Sequence, residues 1–479
     1  MLEPLVIDPA PKYRLSPDLY MQFMEPLGAT DGSVEAAWDH LREDWRPDVV
    51  DVTRELAPPL IRFGGCFSSY YRWREGIGPR RRRKPMRNIL WGGVESNQIG
   101  THEFVDFCRR TGAGPFFGVN FESDGRMRWA RPACGGIRSA GPAEAAAWVD
   151  YCNNPRNKER IANGARAPFG LKLWQIGNET SYDPNGYDCE TAARRTVAFA
   201  KAMRQADPEI RIIAWGDSGW ARRMLEVAGE YIDMLAFHNM FRPAGSDHAS
   251  PLQNNDFRRD PALTWEHLMN AWKQPAAKIR EMREQAGGQP RPLAITECHF
   301  ALPGRSRCEV LSSWAAGVAN ARILNVHERN GDILAIATLA DFCGTAWQVN
   351  AVMIPLPHGR AFMMPVARVM ALYRRHSGNR ALAVQKSPPC LDVTASRKGS
   401  RIFVHVVNTH RTQAVPARIQ VTGLAVQSGR VFEIAAPPEV EIMAHNADRL
   451  APVEKTLPED MIWTFPPASV SAVEIDCAL

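Results

Sequence analysis

The chain of 479 residues contains no stretch of about 18 apolar residues, so no segment reads as a membrane-spanning helix. Its N-terminal Met-Leu-Glu-Pro-Leu-Val-Ile-Asp-Pro lacks a basic region and a long apolar core, which predicts no signal peptide. The ten cysteines are scattered, without any Cys-x-x-Cys pair, so a disulfide framework is not the favoured reading. Several lie in apolar segments, as expected of reduced, buried thiols in a cytoplasmic protein. No cluster of His, Cys, Asp and Glu has the spacing of a metal site; His299 beside Cys298 is a weak hint. Internal repeats and low-complexity tracts are missing too, apart from one run of arginines. The formal charge of +6 is mild and owes part of its value to the run Arg80 to Lys84, which excludes the pervasive basic character of a nucleic-acid or membrane-surface binder.

What is present is the composition of a globular protein, 45% hydrophobic and 23% charged, longer than one usual domain. From about residue 18 to 345, strand-like runs alternate with helical patterns, which argues for parallel βαβ units. The strands read as 20–27, 60–64, 114–121, 171–178, 211–216, 232–238, 293–297 and 333–340, enough to close a (β/α)8 TIM barrel. Between them, helical periodicity marks parts of 33–56, then 101–111, 142–151, 190–205, 221–228, 265–285 and 309–329, with a further helix at 365–375. Beyond it, alternating runs at 401–407, 417–421, 431–434 and 470–475 predict a C-terminal antiparallel β-sandwich domain. The expected organisation is residues 1–17 joining the sandwich, 18–377 forming an α/β catalytic barrel and 378–479 forming the sandwich.

Two of the barrel strands finish on a carboxylate: Leu-Lys-Leu-Trp-Gln-Ile-Gly-Asn-Glu at Glu179 and Pro-Leu-Ala-Ile-Thr-Glu at Glu297. A buried strand that ends on an acid delivers it to the barrel rim, and two acids from different strands are what glycoside hydrolysis requires. One carboxylate attacks the anomeric carbon while the other, protonated, serves the departing oxygen. A single Glu after an apolar strand is ordinarily only a solvated strand end; the pair, with Gly177 freeing the backbone and Asn178 placing an amide beside the acid, is what argues for catalysis.

With these acids on strands four and seven, the chain resembles the clan A retaining glycosidases, and among them glycoside hydrolase family 51, the α-L-arabinofuranosidases. The strings carrying the resemblance are Gln22-Phe23-Met24-Glu25, Ile61-Arg62-Phe63-Gly64-Gly65, Trp73 to Pro79, Gly100-Thr101-His102-Glu103-Phe104 and Gly177-Asn178-Glu179. The resemblance implies an exo-acting retaining hydrolase that releases terminal α-L-arabinofuranose from oligosaccharides, with Glu179 as acid/base and Glu297 as nucleophile. It implies that Asn178 and Glu25 hold sugar hydroxyls, that no metal or cofactor is needed, and that the protein is a homo-oligomer. Arg62 sits in a strand otherwise too apolar for a charge, so it is expected to bind Glu297 or Glu25; a purely structural ion pair reads the same way. His238 falls where the family carries a histidine that touches the acid/base or the sugar, although a lone strand-end histidine is more often a satisfied polar group. Trp73, Trp91 and Trp347 are candidates for apolar walls against sugar faces, set against the commoner fate of tryptophan in the core.

Several positions depart from the family. Cys66 stands where the family carries a sugar-binding Asn, Asn239 and Met240 where it carries tyrosines, Cys298 where it commonly carries Trp, and Asn350 where it carries a sugar-binding Gln. These changes leave the acids intact but alter hydroxyl recognition, so a β-D-galactofuranoside, a β-D-xyloside or a uronic acid glycoside stand as alternative substrates. The run Arg80 to Lys84 reads first as a solvated loop at the barrel mouth, and otherwise as a site that attracts an acidic oligosaccharide or packs subunits. A non-catalytic sugar- or nucleic-acid-binding protein is the competing class; the survival of two mutually repelling acids weighs against it.

Overall fold

The structure is a computed structural model that describes residues 2–125, 138–183, 186–241, 251–252, 256–288, 291–302 and 307–477. Seven parallel strands, Gln22–Met24, Leu60–Phe63, Gly114–Val119, Leu173–Ile176, Arg211–Trp215, Met234–Phe241 and Leu293–Phe300, lie side by side in chain order. The eighth is interrupted: Leu334–Ala337 pairs with strand seven, and Asp341–Gly344 pairs with strand one, which closes the barrel. Strand interiors are apolar because helices cover the outside while side chains fill the inside. Met21, Phe23, Phe116, Leu173, Ile213 and Ala294 form part of that inner filling.

The helices begin and end where local chemistry dictates. Asp188 caps Cys189–Ala206 by accepting from the Thr191 amide, and Gly112, in the left-handed region at φ 79°, ends Thr101–Thr111. The span read as one helix, 265–285, is two, Pro261–Met269 and Lys273–Ala286. Pro275 has no amide hydrogen to give and fits only the first turn of a helix, which forces a new start just before it. Likewise 309–329 divides at Ser313, whose hydroxyl caps Trp314–Arg329 by accepting from the Ala316 amide. The first strand is shorter than its apolar run, because Ser16 and Pro17 open a 3-10 turn over Pro17–Tyr20.

The C-terminal portion builds a nine-stranded sheet in the order Val453–Thr456, Val426–Ala435, Ser469–Cys477, Arg401–Asn408, Leu391–Lys398, Arg380–Lys386, Glu3–Arg14, Val415–Val421 and Ile462–Phe465. All neighbours are antiparallel except Glu3–Ile7, which runs parallel to Ala417–Val421. Register shifts follow Asp8 and Pro11, where Pro9 and Pro11 cannot donate to the ladder. Leu5, Ile7, Val404, Val406, Val431, Val473 and Ile475 form its core. Four of these strands escaped the alternation pattern; Val453–Thr456, for one, is an edge with every residue exposed and so carries no apolar period.

One barrel helix, Trp314–Arg329, joins the two parts. Arg322 and Arg329 both bind Asp392, and Glu328 is buried between the Tyr20 hydroxyl and His405, whose Nδ1 lies 2.9 Å away. Two members of the arginine run are structural. Arg83, with a side chain 4% exposed, donates to both oxygens of Glu103 and to the carbonyls of Gly78, Asn97 and Gln98, while Arg80 reaches Glu103 and the Glu43 carbonyl. Arg81, Arg82 and Lys84 are exposed, as a solvated loop requires; what that reading missed is that Glu103 at the start of Thr101–Thr111 is a buried acid in need of countercharge. Among the described residues the cysteines are free and most are buried; Cys134 lies outside them. Among the described residues no helix is long and apolar enough to cross a membrane.

Candidate active site

Glu179 follows strand four through a sharp corner. Gly177 has φ 71°, and a Cβ there would come within 3.0 Å of Phe121, while Glu179 itself is left-handed at φ 47°. A non-glycine residue in that region is strained, and here the strain turns the carboxyl inward to a site where it is 6% exposed. Glu297 is reached differently. Strands six and seven both run past the expected ends, to Phe241 and Phe300, and a register shift between Phe237 and His238 leaves Thr296 as an extra residue opposite them. Such a bulge re-aims the following side chain. It sets Glu297 opposite His238 and brings the Thr296 hydroxyl to 3.1 Å from His238 Nε2.

His238 stands between the acids, with Nδ1 2.9 Å from Glu179 Oε1 and 3.5 Å from Glu297 Oε2. Burial holds its imidazole down at about 4, against the opposing pull of Glu297, so the ring is neutral at physiological pH. Burial also pushes the Glu179 carboxyl up to about 7, against smaller downward pulls from the Cys66 thiol and Arg62. Arg62, fully buried, donates from Nη1 to Glu297 Oε1 at 2.7 Å and from Nη2 to Asn178 Oδ1 at 2.6 Å. One guanidinium thus supplies countercharge to Glu297 and fixes which face of the Asn178 amide remains available. Cys66 lies on a 3-10 turn after Gly64-Gly65, its Sγ 3.3 Å from Glu179 Oε2. Burial followed by the nearby carboxylates raises the thiol well above its usual value, so it stays protonated and donates.

Glu25 accepts from Trp91 Nε1 at 2.9 Å and from the Phe67 amide at 3.2 Å. Burial, reinforced by Glu297, raises its carboxyl well above the ordinary range. Gly65 makes this approach possible, since a Cβ there would sit 2.3 Å from Glu25 Oε2. Glu25, Cys66, Trp91, Glu179, His238, Asn239 and Glu297 all border one cavity of about 520 Å³, with Trp347 edge-on to Trp91 at a centroid distance of 5.9 Å. Arg62 lies behind this cavity, and Asn178 borders a neighbouring one on the other side of Glu179.

Two expected wall residues are elsewhere. Asn350 is fully buried and donates to Asp31 Oδ2 and to the Trp347 carbonyl, both at 2.6 Å, so it supports the Trp347 loop from behind. Trp73 stacks on Trp148 in the core at 5.8 Å, because its ring faces the helix Pro142–Asn153. Conversely, sequence reasoning missed Asp341, Asp217, Lys278 and Tyr182, all on the cavity wall. Asp341 carried the same signal as Glu297, an acid directly after an apolar strand, 333–340. Among the described residues, Glu179, His238 and Glu297 form the group whose ligand atoms approach closely enough, within 4.8 Å of one another, to hold a metal ion.

Two family models match the chain: the alpha-L-arabinofuranosidase 1 domain over residues 52–258, and the alpha-L-arabinofuranosidase C-terminal domain over residues 301–469. The chain belongs to the α-L-arabinofuranosidase family. Among curated members of the family, it is 28% identical over 256 residues to an intracellular exo-alpha-(1->5)-L-arabinofuranosidase of Acetivibrio thermocellus, covering 50% of this chain and 48% of that one. The chain spans about half the length of the curated arabinofuranosidases it matches. A solved family 51 arabinofuranosidase from Xanthomonas axonopodis pv. citri superimposes with a TM-score of 0.80 at 20% identity, over 99% of this chain and all of that one. The alpha-L-arabinofuranosidase of Thermotoga maritima, solved with arabinose, gives 0.76 at 24% identity over 99% of each chain. At these identities the two structures establish the shared fold of barrel and C-terminal sheet.

Proposed function

We propose that this chain is a retaining exo-glycoside hydrolase that releases terminal α-L-arabinofuranose from oligosaccharides. The carrying observation is the close approach of Glu179 and Glu297, whose facing atoms lie within 4.8 Å with His238 between them. Carboxyl groups about 5–5.5 Å apart leave room for direct attack on the sugar, whereas inverting enzymes hold them about 6.5–9.5 Å apart to admit a water. The spacing therefore supports double displacement.

In the first step Glu297 attacks the anomeric carbon while Glu179, protonated below about pH 7, gives its proton to the leaving oxygen. Arg62 holds the attacking carboxylate in place. In the second step the Glu179 carboxylate takes a proton from water, which displaces Glu297 and releases the sugar with its original configuration. The neutral His238 ring, its Nε2 turned to Thr296, keeps Glu179 aimed in both steps by donating from Nδ1 to Oε1, which accepts in the acid and in its conjugate base alike and leaves the acid proton on Oε2 for the leaving oxygen. The relatives named intracellular support action on short fragments in the cytoplasm.

A second reading, a different neutral glycone on the same mechanism, is favoured by Cys66 standing at the acid/base where the family pattern has Asn. The ion pairs of Arg80 and Arg83 with Glu103 commit two cations of the basic run to the fold and leave the exposed Arg81, Arg82 and Lys84 as the part of it open to an acidic substrate. A panel of aryl α-L-arabinofuranoside, β-D-galactofuranoside, β-D-xyloside and uronide, run with Glu297→Gln as control, tests the assignment. Turnover of the arabinofuranoside that disappears in the variant supports it; turnover only of another member transfers the mechanism to that sugar.

A further inference from the structure

The cavity wall carries two buried polar groups that the protein itself leaves unsatisfied. Among the described residues, Asp341 Oδ1 and Asn239 Nδ2 have no hydrogen-bond partner, although both residues are less than a tenth exposed and both border the cavity. The His299 ring approaches Asp341 Oδ1 with Nε2 at 3.7 Å, too far for a hydrogen bond; burial lowers its basicity, and it directs Nδ1 to the Phe300 carbonyl at 2.7 Å. Buried polar atoms are almost always paired, so an unpaired acceptor and an unpaired donor in one cavity mark places where a ligand completes the bonding. Asp341 lies on the half of strand eight that closes against strand one, the strand leading into Glu25. It therefore stands beside Glu25 and across the barrel mouth from the acid/base.

The charge around the cavity narrows the ligand further. The acids Glu25, Glu179, Asp217, Glu297 and Asp341 border it, while Lys278 is held by Asp217 at 2.6 Å and Arg62 sits behind the wall on Glu297. Burial raises the Glu25 and Asp341 carboxyls well above the ordinary range, so these two acids add little repulsion; what a carboxylate on the sugar lacks is an unpaired cation among the described residues that line the cavity, whereas hydroxyls satisfy both orphan groups.

We propose that Asp341 is the specificity-determining residue of this chain: it accepts a hydrogen bond from a hydroxyl of a neutral glycone, with Asn239 donating to a neighbouring sugar oxygen. This deepens the hydrolase reading and rests on it for the use of the cavity as the glycone site. Recognition of a hydroxyl by a buried polar group discriminates strongly, because an analogue that lacks the hydroxyl leaves the group unpaired.

The test compares wild type with Asp341→Ala, Asp341→Asn and Asn239→Ala on the neutral furanoside and pyranoside panel and on the matching uronides, with unfolding temperatures recorded for each. Asp341→Ala is expected to lower kcat/KM on the best neutral glycoside at least tenfold. The isosteric Asp341→Asn, which keeps an acceptor, is expected to lose less than Asp341→Ala. A merely structural Asp341 would move the unfolding temperature and leave kcat/KM of the folded protein alone. Should no glycoside be turned over, the hydrolase reading fails by itself, and calorimetric titration with L-arabinose, D-galactose, D-xylose and D-glucuronate still tests the site. Neutral-sugar binding weakened tenfold in Asp341→Ala supports the inference. A uronate as best ligand, no sugar bound at all, or Asp341→Ala within twofold of wild type overturns it.

Discussion

The reacting groups and the open groups of the cavity are built on opposite principles. Among the reacting groups, Glu179, His238 and Glu297 each engage a protein partner, and Arg62 ties strand two to both acids through Glu297 and Asn178. Asp341 on strand eight and Asn239, the residue after His238 on strand six, instead present groups with no partner among the described residues. The first arrangement holds reacting groups in place before substrate arrives, which is how positioning lowers a barrier. The second leaves recognition incomplete until a ligand enters. Chemistry and selectivity are thus separable in this barrel, and substitutions of the two kinds of group should fail in different ways.

The largest effect is expected from Glu297→Gln, which should lower kcat about 10^4-fold or more with binding of the sugar retained, as measured by steady-state kinetics beside calorimetry. Glu179→Gln should cost about 10^2 to 10^4 in kcat, least for activated aryl leaving groups that need no proton. The wild type should itself show the acid: Glu179 must be protonated, and burial raises its carboxyl to about 7, so kcat/KM should fall as pH rises through that value. A pH profile that stays level well beyond it would remove Glu179 from the role.

Arg62→Leu should act on folding as well as rate. It leaves Glu297 buried without countercharge, at a cost of about 3 kcal/mol, read as a lowered denaturation midpoint. Cys66→Ala should be the mildest of these changes. It removes the thiol hydrogen bond that pulls Glu179 downward, so the alkaline limb of the pH profile should move up while kcat at low pH changes less than about tenfold. An unchanged limb would show that the thiol does not tune the acid.

Much of the chemical side was legible in the sequence. Strand-ending acids, an arginine in an apolar strand and a glycine before Asn178 are local patterns, and each names a residue that the fold brings to the acid pair. What escaped was geometry created by pairing. The bulge at Thr296 that aims Glu297 exists only between two strands, and no single-strand period reveals it. Asp341 went unweighed although it ends an apolar run, because an interruption at 338–340 divides the strand and places it against strand one. Asn350 and Trp73 stand away from the cavity for the complementary reason: the resemblance marked the first, and residue type the second, as candidate sugar contacts, but the partners that occupy them, Asp31 and Trp148, lie far away in sequence, and Trp73 takes the commoner core position. Arg80 and Arg83 read as solvent-facing with the rest of the run until Glu103 is known to be buried beside them.

The account rests on double displacement through Glu297, and the stereochemistry of the first product tests that most directly. Proton NMR of an α-L-arabinofuranoside during the first minutes of hydrolysis, before mutarotation, should show the α-anomer appearing first. First appearance of the β-anomer would mean direct attack by water and would contradict the mechanism.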